Sequence, residues 1–245
     1  GKVVIKVDLI SRSIHLMGST ITISILHENA DSLLDQVFSL LRLYEKRFSA
    51  NDDSSELMQI NHAAGKHPVC VHPDLFELIE LGKKHSLAPY SHLNITLGPL
   101  IQTWRIGFAD AKVPSPEEIK QALSLTDPEC IELDATASSV FLTMEGMKID
   151  LGALAKGYIA DKIAAFLRGQ GVTSALINLG GNILTIGLNE KNNRCWRIGI
   201  QNPILPRGNN LALLSVQNQS VVTSGIYERK LQVDGRVYHH IFDRT

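Results

Sequence analysis

Apolar and polar positions alternate from Val3 to Ile10 and again from Ile14 to Leu26, with β-branched enrichment in both runs. A period of two in such residues predicts strands. Met17-Gly18-Ser19-Thr20 interrupts the second run, and a glycine inside a strand pattern marks a bulge or a close backbone approach. The period then lengthens. Asp31 caps a helix reaching about Phe48, with Leu33, Leu34, Val37, Leu40, Leu41 and Tyr44 turned inward. Residues 48–54 are polar and read as a loop, after which Ser54 or Ser55 starts a short helix through Asn61. Pro73 opens a further helix at the first-turn position proline favours. From Ser91 to Trp104 polar residues punctuate an otherwise buried-looking segment, as in a pocket wall. Residues 107–116 are a surface excursion, and Ser115-Pro116 opens another helix.

Strands follow near 130–134, 139–143 and 147–151. From Ala153 the period becomes helical: Ala155, Ile159, Ile163 and Phe166 share one face, while Ala153, Gly157, Ala160 and Ala164 form a stripe of small residues. Gly169 and Gly171 close this helix. Ser174 to Leu179 reads as a strand, followed by strands at about 183–188, 195–200, 211–217 and 220–224. A hairpin of 226–233 and 236–242, turned by Asp234-Gly235, comes last. Helices crowd the first two-thirds and strands the last third, so the predicted class is α+β.

The 245 residues suffice for a sizeable core, and 44% apolar with 20% charged content describes an ordinary globular chain. A formal net charge of −1 argues against a nucleic-acid partner held by a broad basic surface. Cys70, Cys130 and Cys195 are odd in number and far apart, with neither metal spacing nor a disulfide framework. No apolar run approaches the ~18 residues of a membrane span. The chain opens on Gly1-Lys2 rather than Met, as a trimmed chain does, so the lack of a leader in these residues carries no weight.

Chemistry concentrates in residues 147–161. A strand, a tight turn and a helix N-terminus place Asp150 before the helix and Lys156 in its early turns. Free N–H groups and the positive dipole end suit an anion, and Lys156 adds a mobile cation able to reach a phosphate oxygen. The plainer reading makes Asp150 a cap and Lys156 a solvated lysine. Asn178-Leu179-Gly180-Gly181-Asn182 matches neither a P-loop nor a dinucleotide fingerprint and reads as a tight turn; Thr223-Ser224-Gly225 reads as a phosphate-binding turn or an ordinary hydroxyl turn. At the end of the chain, His239-His240-Ile241-Phe242-Asp243-Arg244-Thr245 offers hard oxygen ligands for Mg²⁺ and a histidine general base, or an exposed histidine pair and a turn Asp. His62, His67, His72, His85 and His92 lack ligand spacing and read as surface or structural.

Together these stretches resemble the ApbE family of FAD:protein FMN transferases. The family's Met-Gly-Thr is similar to Met17-Gly18-Ser19, and its Ser-x-aromatic…Ser-x-Leu…Asn loop to Ser49-Ala50-Asn51…Ser55-Glu56-Leu57…Asn61. Its Phe-Asp-x-Thr-x-Gly-Pro-Leu…Trp resembles Leu93-Asn94-Ile95-Thr96-Leu97-Gly98-Pro99-Leu100…Trp104, and its Asp-Leu-Gly-Gly-Ile-Ala-Lys-Gly-Tyr…Asp resembles Asp150 to Asp161. Gly180-Gly181-Asn182, Thr223-Ser224-Gly225 and the His240–Asp243 run complete the series in the family's order. The resemblance implies one domain over 1–245, with antiparallel sheets and helices around a central FAD cleft (a T-fold-like architecture) and the family's final strands beyond residue 245. It implies Mg²⁺-dependent cleavage of FAD, attachment of FMN through a phosphodiester to a Thr or Ser of an acceptor flavoprotein, and release of AMP. By the same resemblance Ala153 (through its carbonyl) and Asp243 ligate the metal. Met17, Asn51, Leu93, Asn94, Asp150, Lys156, Thr223, Ser224 and Gly225 contact FAD, and His240, Asp243 and Lys156 carry the chemistry. The setting it implies is extracytoplasmic, periplasmic or anchored by a lipid outside these residues.

Three departures stand out. Asn51 replaces an aromatic that stacks on the flavin, a contact worth about 1 kcal/mol, which suggests an FAD pyrophosphatase yielding FMN and AMP. Asn94 stands where Asp is usual, and Thr245 lies one position short of the family's metal-binding Thr. The incomplete end also suggests a third reading, a flavin-binding protein without turnover.

Overall fold

A computed structural model describes residues 7–106, 108–189, 194–201, 210–222, 230–233 and 236–239. In chain order its elements are β1 (Leu9–Leu16), β2 (Ser19–Leu26), α1 (Ala30–Phe48), α2 (Glu56–His62), β3 (Val69–Cys70), α3 (Pro73–Leu87), α4 (Gly98–Trp104) and α5 (Pro116–Leu123). A 3₁₀ turn (Pro128–Cys130) leads into β4 (Ile131–Asp134) and β5 (Ser139–Leu142). Then come α6 (Gly152–Gly169), β6 (Ala175–Leu179), β7 (Asn182–Ile186), β8 (Trp196–Gln201), β9 (Asn210–Val216), β10 (Ser220–Val222), β11 (Lys230–Val233) and β12 (Arg236–His239). The chain is α+β, and every strand pair among the described residues is antiparallel. No described helix is long and apolar enough to cross a membrane. Two compact units form, one from residues 1–43 and 156–224, the other from 44–155 and 225–245.

The first unit is built on a sheet ordered β1-β2-β6-β7-β10. Met17 and Gly18 are not a bulge, as the pattern suggested, but the two-residue turn of the β1–β2 hairpin. Their φ values of 52° and 70° are both positive, as a type I′ turn needs to match the strand twist. Successive β2 residues point to opposite faces, so Ile21, Ile23 and Ile25 lie together, each fully buried. Arg12, paired with Ile23, emerges on that face and meets Asp31 at 3.0 Å and Asp35 at 2.5 Å, which sets α1 there. Its pKa is raised, chiefly by the hydrogen bond to Asp35. From α1 Leu34, Val37 and Leu41 are buried, and from α6 Ile159, Ile163 and Leu167. The opposite face carries Leu9, Leu176, Ile183 and Val221 against Trp196, Ile198 and Val216 of the β8–β9 hairpin.

The second unit holds a three-stranded sheet, β3-β5-β4, with α2 against β5, α3 against the 3₁₀ turn before β4, and α4 against α5. Helix starts follow local chemistry: Ser55 Oγ accepts from Met58 N–H, and Ser115 Oγ from Glu118 N–H. The His72 ring accepts from Asp74 N–H, so this histidine is structural. Residues 147–151 are not the strand that their alternation predicts. Met147, Ile149 and Leu151 are buried as in a strand, but the partner is a side chain. The Asn61 amide accepts from Ile149 N–H at 2.8 Å and donates to Ile149 C=O at 3.1 Å, replacing the neighbouring strand, while Asp150 N–H donates to Ile95 C=O.

Candidate active site

In the first unit, Lys156 lies near the start of α6 and reaches back to the hairpin turn. Its Nζ donates to Ser19 Oγ at 2.8 Å. Ser19 shares the buried face with Ile21, which is why its hydroxyl is available to a helix lying there. Gly180 closes the group from the β6–β7 turn. A Cβ on Gly180 would fall 2.4 Å from Ser19 Cβ, 2.6 Å from Ser19 Oγ and 3.1 Å from Lys156 Nζ. Its φ of +64° also disfavours any side chain. Asn178 Oδ1 accepts from Gly181 N–H at 3.2 Å and fixes that turn. Asn182, the next residue, has its Nδ2 against Gly157, and its Oδ1 is buried without a hydrogen-bond partner among the described residues. A cation and a hydroxyl thus gather at a glycine-lined turn, donors of the kind a phosphorylated ligand needs. Met17, at the tip of the hairpin, is half-buried.

In the second unit, Asp150 precedes α6 and its Oδ1 accepts from Gly152 N–H at 2.8 Å, so the capping reading holds for one oxygen. Ala153 is exposed in the first turn. A backbone carbonyl such as that of Ala153 is a hard oxygen donor of the type a divalent cation takes. Among the described residues no three His, Cys, Asp or Glu side chains gather to hold a metal ion. Asn94 sits beside this region and makes three hydrogen bonds. Its Oδ1 accepts from Thr96 N–H at 2.9 Å and from Thr96 Oγ1 at 2.5 Å, and its Nδ2 donates to Thr126 C=O at 2.9 Å. Leu93 next to it is half-buried.

Asn51 is exposed on a loop held at both ends. Its N–H donates to Ser49 Oγ, and buried Ser55 donates to Ser49 C=O at 2.6 Å. Asp52 accepts from Ser54 N–H and Oγ and pairs with Lys46 at 3.2 Å. These bonds, the Ser54 hydroxyl first, hold the Asp52 carboxyl below its usual pKa. Lys148, on the same side of its extended segment as Asp150, donates to Gln102 Oε1. Burial pushes its pKa down, while Asp53 opposes that shift. Thr223, Ser224, Gly225, His240 and Asp243 lie outside the described residues.

Residues 17–245 match the model of the ApbE family. The chain belongs to the ApbE family. Similar proteins include an FAD:protein FMN transferase of Klebsiella pneumoniae, 45% identical over 95% of this chain and 71% of the relative. Another FAD:protein FMN transferase, from Treponema pallidum, is 40% identical over 86% of this chain and 61% of the relative. The crystal structure of the ApbE protein from Thermotoga maritima superimposes with a TM-score of 0.86 at 27% identity, covering 96% of this chain and 76% of that one. Against this family background, the structure brings Lys156 together with two residues absent from the sequence-derived set. Ser19 and Gly180 stand in the stretches that resemble the family's Met-Gly-Thr and Gly-Gly motifs, which was the available signal, but neither carried a role of its own there.

Proposed function

We propose that this ApbE-family chain cleaves FAD with Mg²⁺ and passes FMN to a Thr or Ser hydroxyl of an acceptor flavoprotein, releasing AMP, outside the cytoplasmic membrane. The observation that carries this reading is the Asp150–Lys156 segment. It keeps the family's order at the start of α6 and delivers the Lys156 ammonium to a glycine-lined turn. Lys156 would meet the pyrophosphate, neutralising charge where it builds during displacement. The Ala153 carbonyl and Asp243 would hold the metal with hard oxygens, and the metal would supply further charge neutralisation, while Asp150 would contact FAD. His240 takes the proton of the attacking hydroxyl as the new P–O bond forms and the P–O bond to AMP breaks. The Met17 hairpin, Leu93, Asn94, Asn51 and the Thr223-Ser224-Gly225 turn complete the contacts to FAD.

The direct test incubates the protein with FAD and Mg²⁺, with and without an acceptor carrying a flavinylation Thr. Intact acceptor mass and AMP release are read together. A gain of one FMN that needs Mg²⁺ is the expected result, and Asp243→Ala abolishes it. AMP and free FMN without adduct would make the protein an FAD pyrophosphatase. Asn51, exposed on its loop and standing in the sequence where the family has a stacking aromatic, favours that second reading. On it, Asn51→Tyr shifts product from free FMN toward adduct and tightens flavin binding about fivefold, the equivalent of about 1 kcal/mol. An unchanged product ratio removes Asn51 as the cause.

A further inference from the structure

We propose that Ser19 is the positioning residue for Lys156, and that Gly180 is the absence of bulk that makes the arrangement possible. The proposal rests on the reading that Lys156 contacts a phosphate of FAD. A lysine ammonium sits on a flexible four-carbon stem and must be held if it is to meet one phosphate oxygen. Ser19 Oγ holds it at 2.8 Å. The hydroxyl is itself fixed, because Ser19 opens β2 directly after a two-residue hairpin turn and is paired with Leu16. A neutral acceptor also orients an ammonium without cancelling its charge, as a carboxylate in the same place would.

Gly180 supplies the other half. Its backbone lies so close that an added Cβ would overlap both Ser19 Cβ and Oγ. Any side chain there must push Ser19 aside and take the lysine anchor with it. Asn178 holds the turn through Gly181 N–H, so the glycine has no room to retreat. The chain of effects runs from β6 through its turn to Ser19, and from Ser19 to the ammonium.

The test measures equilibrium binding of FAD and of riboflavin, which has no phosphate, with metal chelated so that nothing turns over. Ser19→Ala is expected to weaken FAD about tenfold, the scale of one hydrogen bond to a charged group, and to leave riboflavin unchanged. Ser19→Thr, which keeps the hydroxyl, stays within about twofold of the parent for both ligands. In a Lys156→Met background the Ser19→Ala change adds nothing further. Should Ser19→Ala not fold, Ser19→Cys keeps the volume, weakens the acceptor and is read the same way. Equal losses for FAD and riboflavin, no loss for either, or a Ser19→Ala effect that persists without Lys156 would each overturn the positioning role. If Lys156→Met itself leaves the FAD-to-riboflavin ratio untouched, the phosphate contact falls first, and the two failures are told apart.

Discussion

Asn94 shows how one atom changes what a residue does. With Asp in its place, Thr96 would still be served, but the donor to the Thr126 carbonyl would become an acceptor facing an acceptor. Asn94→Asp should therefore lower stability by about 1–2 kcal/mol, a few degrees in Tm by calorimetry, although it restores the family's usual residue. An unchanged Tm would mean that the amide bond to Thr126 contributes nothing. Asp52 gives a pH dependence with a definite sign. Its folded pKa is lowered, so the bonds to Ser54 and Lys46 contribute above the unfolded value and are lost as pH falls through the lowered one, below the ordinary 3.8. The Ser54 amide resonance should titrate in that acid range, and the inflection should vanish in Asp52→Ala.

Among the elements, α2 and the 147–151 segment depend on each other through Asn61. Asn61→Ala strands both the N–H and the C=O of Ile149 in the core and should cost about 2–5 kcal/mol, measured as a shift in denaturant midpoint. A cost within 0.5 kcal/mol, the range of neutral surface changes, would show that backbone rearrangement replaces the amide. The same contact explains why residues 147–151 were misread. Alternation records which side is buried, and it looks the same whether the partner is a strand or a side chain. α1 was legible because its apolar period runs for five turns with its buried residues in phase. α4 was not, since seven residues opening on Gly98-Pro99 give too little periodicity to separate from a loop. The β1–β2 turn carried no Asn-Gly or Asp-Gly signal, and Met17 at positive φ runs against its own preference. Lys156 could be found in the sequence, but Ser19 and Gly180 could not be tied to it before the sheet register brought them together.

For the molecule as a whole, the first unit's five-stranded sheet closes only when Ile21 meets Leu179, 158 residues downstream, whereas the second unit's three-stranded sheet lies within residues 69–142. Loop closure over such a distance slows folding. In pulse-labelled hydrogen exchange during refolding, amides of β4 and β5 should gain protection before those of β2 and β6; the reverse order would refute this ranking. A fragment ending at residue 155 keeps β1 and β2 but lacks β6, and a lone hairpin is marginal in water, so its β2 amides should exchange freely. A ribosome meets the same condition in time. At roughly 5–20 residues per second, β2 emerges about 8–30 seconds before β6 exists to cover its edge. Throughout that interval the β2 backbone groups that later pair with β6 have no strand partner, and an unpaired edge of this kind is a template for pairing with another chain.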